Sequence, residues 1–190
     1  MKITSDLIRQ LAYPAMPAVL VQVWADKLGA ACEGAYINTP QRLAHFLAQL
    51  THESGGFRWM TEIWGPTPAQ VRYEGRLDLG NTQPGDGKRY MGRGPLQLTG
   101  RANYRNTGRR IGYPLEAQPE LASQIGVGSI VACDYWTTRN LNGWADRGGL
   151  LSVRPITRAV NGGLNGLQDR ERRYLLAARA LAPNVPALQP

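Results

Sequence analysis

Apolar residues at Leu43, Phe46, Leu47 and Leu50 recur at the i, i+3, i+4, i+7 spacing of one helix face, directly after the turn Asn38-Thr39-Pro40. The pattern predicts an amphipathic helix that ends at Glu53, because Gly55-Gly56 follows and glycine readily takes the left-handed conformation of a C-terminal cap. The same reading predicts helices over Asp6–Ala12, Pro17–Leu28, Ala102–Ile111, Gly128–Asn140, Leu151–Val160 and Leu167–Leu181. From Gly65 to Gly100 the chain is rich in Gly, Pro, Asn and Asp, which predicts loops with at most short strands. Within it, Leu96-Gln97-Leu98-Thr99 alternates, so an extended segment would turn both leucines to one side and Gln97 and Thr99 to the other. The expected fold is mainly helical. A structured loop region of this length inside a compact domain is usually functional.

Composition narrows the class. A chain of 190 residues is long enough for one real core, so a single domain over 1–190 is expected. Hydrophobic residues make up 43% and charged residues 19%, which argues against disorder. No apolar run approaches the roughly 20 residues that span a bilayer. Ala15–Trp24 lacks the layout of a secretory signal, so the expected location is the cytoplasm of the producing cell. Cys32 and Cys133 read as two buried thiols. The net charge of +8 favours a polyanionic partner. Nucleic acid is one candidate, but no zinc-finger spacing, RNP motif or P-loop is present; bacterial cell wall, itself an anionic polymer, fits as well.

The chemistry centres on carboxylates. At about 100° per residue, Glu53 projects beside Phe46 on the flank of the apolar stripe, while His52 points to the opposite side. A partly desolvated carboxyl on such a flank would hold a proton near neutral pH and act as a general acid. Glu62 lies between Trp59 and Trp64, and Glu74 follows Tyr73. An aromatic ring beside a carboxylate suits a pyranose, whose C–H face packs on the π surface while its hydroxyls take hydrogen bonds. Gln97 and Thr99 would supply neutral donors and acceptors. With only His45 and His52, and no HExxH spacing, no metal site is expected.

His52-Glu53-Ser54-Gly55-Gly56-Phe57, Tyr90-Met91-Gly92-Arg93-Gly94-Pro95-Leu96-Gln97-Leu98-Thr99 and Val160-Asn161-Gly162-Gly163 together resemble the family 19 glycoside hydrolases, which include plant-type chitinases and phage endolysins. The short chain, and Tyr73-Glu74-Gly75-Arg76 through Gly85-Asp86-Gly87, resemble the endolysin branch. The resemblance runs from about Pro40 to Leu181. It implies a lysozyme-like α+β fold, with two helical lobes around a cleft, and an inverting mechanism without metal or cofactor. It implies Glu53 as general acid and divides the general base between Glu62 and Glu74. It gives Thr99 a part in holding the catalytic water, gives Gln97, Asn103 and Asn161 sugar contacts, and gives Arg170 support of the cleft carboxylates. Trp64 and Tyr73 complete the expected substrate contacts. The long chitinase loops and their cysteines are missing, which favours the shorter arrangement.

The expected function is hydrolysis of β-1,4 bonds in peptidoglycan strands by a phage or prophage lysis enzyme. It would be a monomer without a separate wall-binding domain, and would wait in the host cytoplasm for a membrane lesion. The basic helix from Asp169 to Leu181 reads as solvated, with a second reading in which it touches an anionic outer membrane. The alternatives are a chitinase acting on N-acetylglucosamine polymers, a lytic transglycosylase with one essential acid, and a non-catalytic basic binding module.

Overall fold

A computed structural model of the chain describes residues 2–181; the two ends of the expected 1–190 domain lie outside the described residues. Among the described residues ten α-helices follow one another: α1 Ser5–Leu11, α2 Ala18–Gly34, α3 Pro40–Glu53, α4 Pro68–Val71, α5 Asp86–Arg89, α6 Arg101–Ile111, α7 Ile125–Thr138, α8 Leu141–Ala145, α9 Val153–Asn161 and α10 Leu167–Leu181. Short 3₁₀ turns sit at Leu77–Leu79, Pro119–Ser123 and Leu150–Ser152. No helix among the described residues is long and apolar enough to cross a membrane.

The start of α3 is set locally. Thr39 caps it by accepting the Arg42 amide at 3.2 Å, and Pro40 at the first helical position brings a backbone already bent for a helix. The expected one-sided stripe is too narrow, however. All nine residues from Leu43 to Thr51 are buried, because helices pack on α3 from several sides and the most extensive contact is with α10. Its polar members therefore need partners inside the protein. Thr51 donates to the Leu47 carbonyl at 2.7 Å, while Gln49 bonds across to other helices.

Two apolar clusters give the two lobes. The larger gathers α1, α2, α3, α8, α9 and α10, with Trp24 stacked on Phe57 at 4.2 Å and Phe46 edge-on to Trp136 at 5.2 Å. The smaller joins Tyr90, Tyr104, Leu115, Ala122, Val127 and Val131. Helix α7 serves both, giving Val127 and Val131 to one and Ala132, Cys133 and Trp136 to the other. It starts three residues before the expected Gly128 and ends at Thr138, two before the expected Asn140; the short α8 that follows was not expected. Helix α2 runs six residues past the expected Leu28, to Gly34. The Gly65–Gly100 segment is mostly loop, as its composition predicts, but four-residue helices rather than strands punctuate it. Its only ladder-like contacts among the described residues are the bridges Thr61–Arg93 and Arg93–Leu98.

One buried group lacks partners. His45 is fully buried in α3 and stacks on Tyr174 of α10 at 4.3 Å, and neither ring nitrogen meets a hydrogen-bond partner among the described residues. Burial pushes its pKa down to about 4, from an ordinary 6.5. The unfolded chain therefore takes up a proton between those values while the folded chain does not, and stability must fall as pH drops from about 6.5 to about 4. The His45→Phe variant keeps the stacking and removes two unpartnered nitrogens, at a gain of roughly 1–3 kcal/mol. We expect it to raise Tm by several degrees and to flatten the decline over that pH window, as followed by thermal melts from pH 4 to 7. A lower Tm, or an unchanged pH dependence, would contradict this account of the residue.

Candidate active site

The first carboxylate is held by a buried cation. Glu53 is the last residue of α3, and its Oε1 accepts from Nη2 of Arg170 at 2.5 Å. The Arg170 side chain, in the first turn of α10, is 1% exposed, against 24% for Glu53. Its other donors are also placed: Nη1 gives to Gln49 Oε1 at 2.5 Å and Nε to the Asn165 carbonyl at 3.2 Å. Gln49 and Glu53 are one helical turn apart, so both reach the same guanidinium from one face of α3. Gln49 donates in turn to Thr157 of α9 at 3.2 Å, and Thr157 to the Val153 carbonyl at 2.7 Å. The flank of the stripe is thus not the half-apolar surface that spacing predicts. A guanidinium occupies it, and the second oxygen of Glu53 has no partner among the described residues.

A second polar joint lies next to the first. His52 Nδ1 meets Asp169 Oδ2 at 2.7 Å, and Asp169 also accepts from Arg172 and from Arg173 Nε at 2.6 Å. Burial works to raise the Asp169 pKa, but the bonds from Arg172, Arg173 and His52 outweigh it and hold the carboxyl well below the usual range. The joint needs a glycine: a Cβ on Gly166, at φ +71°, would lie 2.2 Å from His52 Cε1. His52 thus faces α10 rather than open solvent.

The second carboxylate sits on different supports. After α3 the Ser54 hydroxyl accepts the Phe57 amide at 2.8 Å and the Ser54 carbonyl accepts Trp59 N at 2.9 Å, which turns the chain back toward Glu62. Glu62 N donates to the Gly92 carbonyl at 2.8 Å, and Glu62 Oε2 accepts Gly92 N at 2.9 Å. Its Oε1 accepts Gln70 Nε2 at 3.0 Å and the Tyr73 hydroxyl at 3.4 Å. Gln70 is itself fixed by a capping box with Thr67 at the start of α4. An ionised carboxylate accepts only, and Glu62 meets only donors. Burial, together with the Glu62 charge, raises the Tyr73 pKa, so the phenol keeps its proton. Trp64 flanks Tyr73 with ring centroids 6.3 Å apart.

The expected alternation at residues 96–99 does not form. Arg93 and Leu98 exchange backbone bonds of 3.1 and 2.8 Å, which closes a four-residue turn with Gln97 at φ +51°. Only that left-handed residue brings Gln97 back over Gly92, where an added Cβ would be 2.6 Å from Gln97 Oε1 and 3.2 Å from Glu62 Oε2. Gln97 Nε2 gives to the Gly94 carbonyl at 2.9 Å, the Thr99 hydroxyl gives to the Gln97 carbonyl at 2.8 Å, and Asn103 Nδ2 gives to the Thr99 carbonyl at 2.7 Å. Gln97, Thr99 and Asn103 thus form one polar ladder leading from Glu62.

Glu74 and Asn161 form no hydrogen bond to either carboxylate or to its supports among the described residues. The Glu74 oxygens accept Gly85 N at 2.6 Å and Gly87 N at 2.8 Å, so that side chain braces a loop instead of pairing with Arg76 or Lys88. Asn161 is exposed at the end of α9 and forms no side-chain hydrogen bond among the described residues. Gln49, Thr157 and Gln70 carry no role in the sequence reading, and Asp169, expected as a paired charge on a solvated helix, instead joins His52 to α10. Of the first three only Gln49 carried a signal, its i−4 spacing from Glu53. Tyr135 of α7 also lies within reach of the Glu53 charge, and burial raises its pKa first.

Known proteins share this arrangement of chain. The family model described as chitinase class I, glycoside hydrolase family 19, matches residues 21–145. A family 19 domain-containing protein of Haemophilus influenzae is 30% identical over 174 residues, covering 77% of this chain and 84% of its own. An endochitinase of Arabidopsis thaliana is 32% identical over 141 residues, covering 71% of this chain; that match spans 46% of the plant protein, so the chain corresponds to about half its length. Among solved structures, a bacterial family 19 chitinase superposes with a TM-score of 0.74 at 23% identity, over 94% of each chain. Chitinase C of Streptomyces griseus superposes with 0.73 at 24%, over 95% of this chain and 76% of that one. These superpositions show the fold, and with the profile match and the Haemophilus relative they place this chain in glycoside hydrolase family 19, an enzyme of the glycoside hydrolase class.

Proposed function

We propose that the chain hydrolyses β-1,4 bonds of peptidoglycan glycan strands by inverting acid–base catalysis. The observation that carries the mechanism is the contrast between its two carboxylates: Glu53 keeps one oxygen unpartnered, whereas Glu62 is surrounded by donors. Glu53 delivers its proton from that oxygen to the leaving glycosidic oxygen. As it does so it becomes a carboxylate, and the fixed Arg170 guanidinium stabilises the charge that develops. Glu62, whose oxygens accept three hydrogen bonds and keep about one further acceptor site, takes the proton of a water that attacks the opposite face of the sugar. In an inverting pair the carboxyl groups stand roughly 6.5–9.5 Å apart to admit that water. The Thr99 hydroxyl spends its proton on the Gln97 carbonyl, so its lone pairs remain to orient the water. Gln97, Asn103 and Asn161 contact the sugar, as do Trp64 and Tyr73. Glu74, with both oxygens committed to backbone amides, shapes a loop.

Charge supports the choice of substrate. A net +8 chain is drawn to an anionic polymer, and chitin is neutral. Arg172, Leu175, Leu176 and Arg179 share one exposed face of α10, which suits contact with an anionic outer membrane on the way to the wall. We place the action at the wall of a lysing host, after a membrane lesion, by a monomer. The relatives named chitinases favour a second reading, cleavage of N-acetylglucosamine polymers, and soluble chitin oligomers separate the two.

The Glu53→Gln variant should cut kcat on purified sacculi by about 10²–10⁴-fold while folding and binding the wall as before; near-normal turnover would sink the assignment. Comparing Glu62→Gln with Glu74→Gln in the same assay identifies the base. We expect a loss of similar size for Glu62→Gln. For Glu74→Gln we expect a small loss with a lowered Tm; the reverse ranking would transfer the base to Glu74.

A further inference from the structure

A hollow of about 660 Å³ lies behind the loop that Glu74 braces, between α5, α6 and the 113–117 segment. Four of its lining residues are arginines, Arg89, Arg101, Arg105 and Arg109, against two carboxylates, Asp86 and Glu116. Glu116 shows what these cations grip: its oxygens accept Arg101 Nε at 2.9 Å and Arg105 Nε and Nη2 at 2.7 Å each. Those bonds, from Arg105 and then Arg101, push the Glu116 pKa down to about 2. Arg101 also pairs with the buried Asp86 at 3.3 Å, which leaves the hollow a surplus of two positive charges. Arg89 gives Nη2 to the Ala117 carbonyl at 3.0 Å, a neutral partner. Arg109 is exposed and makes no hydrogen bond or ion pair among the described residues, and Arg105 Nη1 is likewise unused. Tyr113, Pro114 and Leu115 add an apolar wall.

We propose that this hollow receives the carboxylates of the acidic peptide stems that branch from the glycan strand, so that the enzyme grips the stem while it cuts the sugar. The inference rests on the peptidoglycan reading above. A guanidinium fork matches a planar carboxylate, as Glu116 already demonstrates within the chain. The apolar wall suits the aliphatic parts of a short peptide. The reach is right as well. Asn103, on the polar ladder, and Arg101, on the hollow, leave the first turn of α6 about 200° apart, on opposite sides of a helix ~10 Å across. The path round the helix is about half its circumference, ~16 Å, which five extended stem residues at ~3.3–3.6 Å each cover. Chitin carries no stem, so the hollow would serve as a selector for peptidoglycan.

The test compares initial rates on glycan strands with stems intact and on the same strands stripped of stems by an amidase, at low salt. The wild type should prefer stem-bearing strands roughly tenfold, the scale of one charge-assisted hydrogen bond, and the preference should shrink as salt rises. Arg109→Glu, at an exposed position without an internal partner, should abolish that ratio at unchanged Tm, and Arg109→Ala should reduce it less. Equal wild-type rates on the two substrates, or an Arg109→Glu effect that scales both rates alike, would overturn the stem pocket and leave the peptidoglycan reading standing. Failure to cleave either strand would overturn both.

Discussion

A single buried guanidinium holds the Glu53 end of this molecule together. Arg170 is out of water, and three acceptors from two places account for it: Gln49 and Glu53 of α3, and the Asn165 carbonyl at the approach to α10. An unpaired charge in that position would be severely destabilising, so the end of α3 and the start of α10 must stay in register for the core to close. Thr157 extends the same constraint to α9 through Gln49. The His52–Asp169 joint and the close fit of Gly166 fix the two helices a second time. Glu53 is therefore aimed by packing, with no freedom to turn into the core.

Glu62 is positioned by a different principle. It stands on a loop, and loops hold side chains poorly unless the backbone is tied down. Here the tie is reciprocal: Glu62 and Gly92 exchange backbone and side-chain bonds, while Gln70 locks the oxygen on the other side. Gly92 must be small because Gln97 and Glu62 both close over it. One carboxylate set in a helical lobe and one on a tethered loop give a pair of acids in distinct surroundings, the condition for dividing acid and base roles.

Much of this was legible in the chain. The helices α1 and α3 follow their apolar spacing and turn residues within a residue or so, and the predicted bounds of α10 agree with Leu167–Leu181. What was lost has physical causes. Periodicity reports which faces are apolar, and α3 buries polar Gln49 and Thr51 as well, because neighbouring helices supply their partners. A run of basic residues reads as a solvated face, yet Arg170 in that run is the most deeply buried of them. Alternation at residues 96–99 suggested an extended segment, and a left-handed glutamine, which no spacing rule anticipates, made it a turn. The division of the base between Glu62 and Glu74 likewise could not be resolved by counting. The two differ in their partners: Glu74 accepts from the amides of Gly85 and Gly87, and Glu62 from Gly92, Gln70 and Tyr73.

The most direct test of the central claim is mass spectrometry of the fragments that the protein releases from purified Gram-negative peptidoglycan, with the reducing ends identified. N-acetylmuramic acid reducing ends are the result predicted for a muramidase working through Glu53 and a second carboxylate. No release from peptidoglycan, together with cleavage of soluble chitin oligomers, would contradict it and make the chain a chitinase.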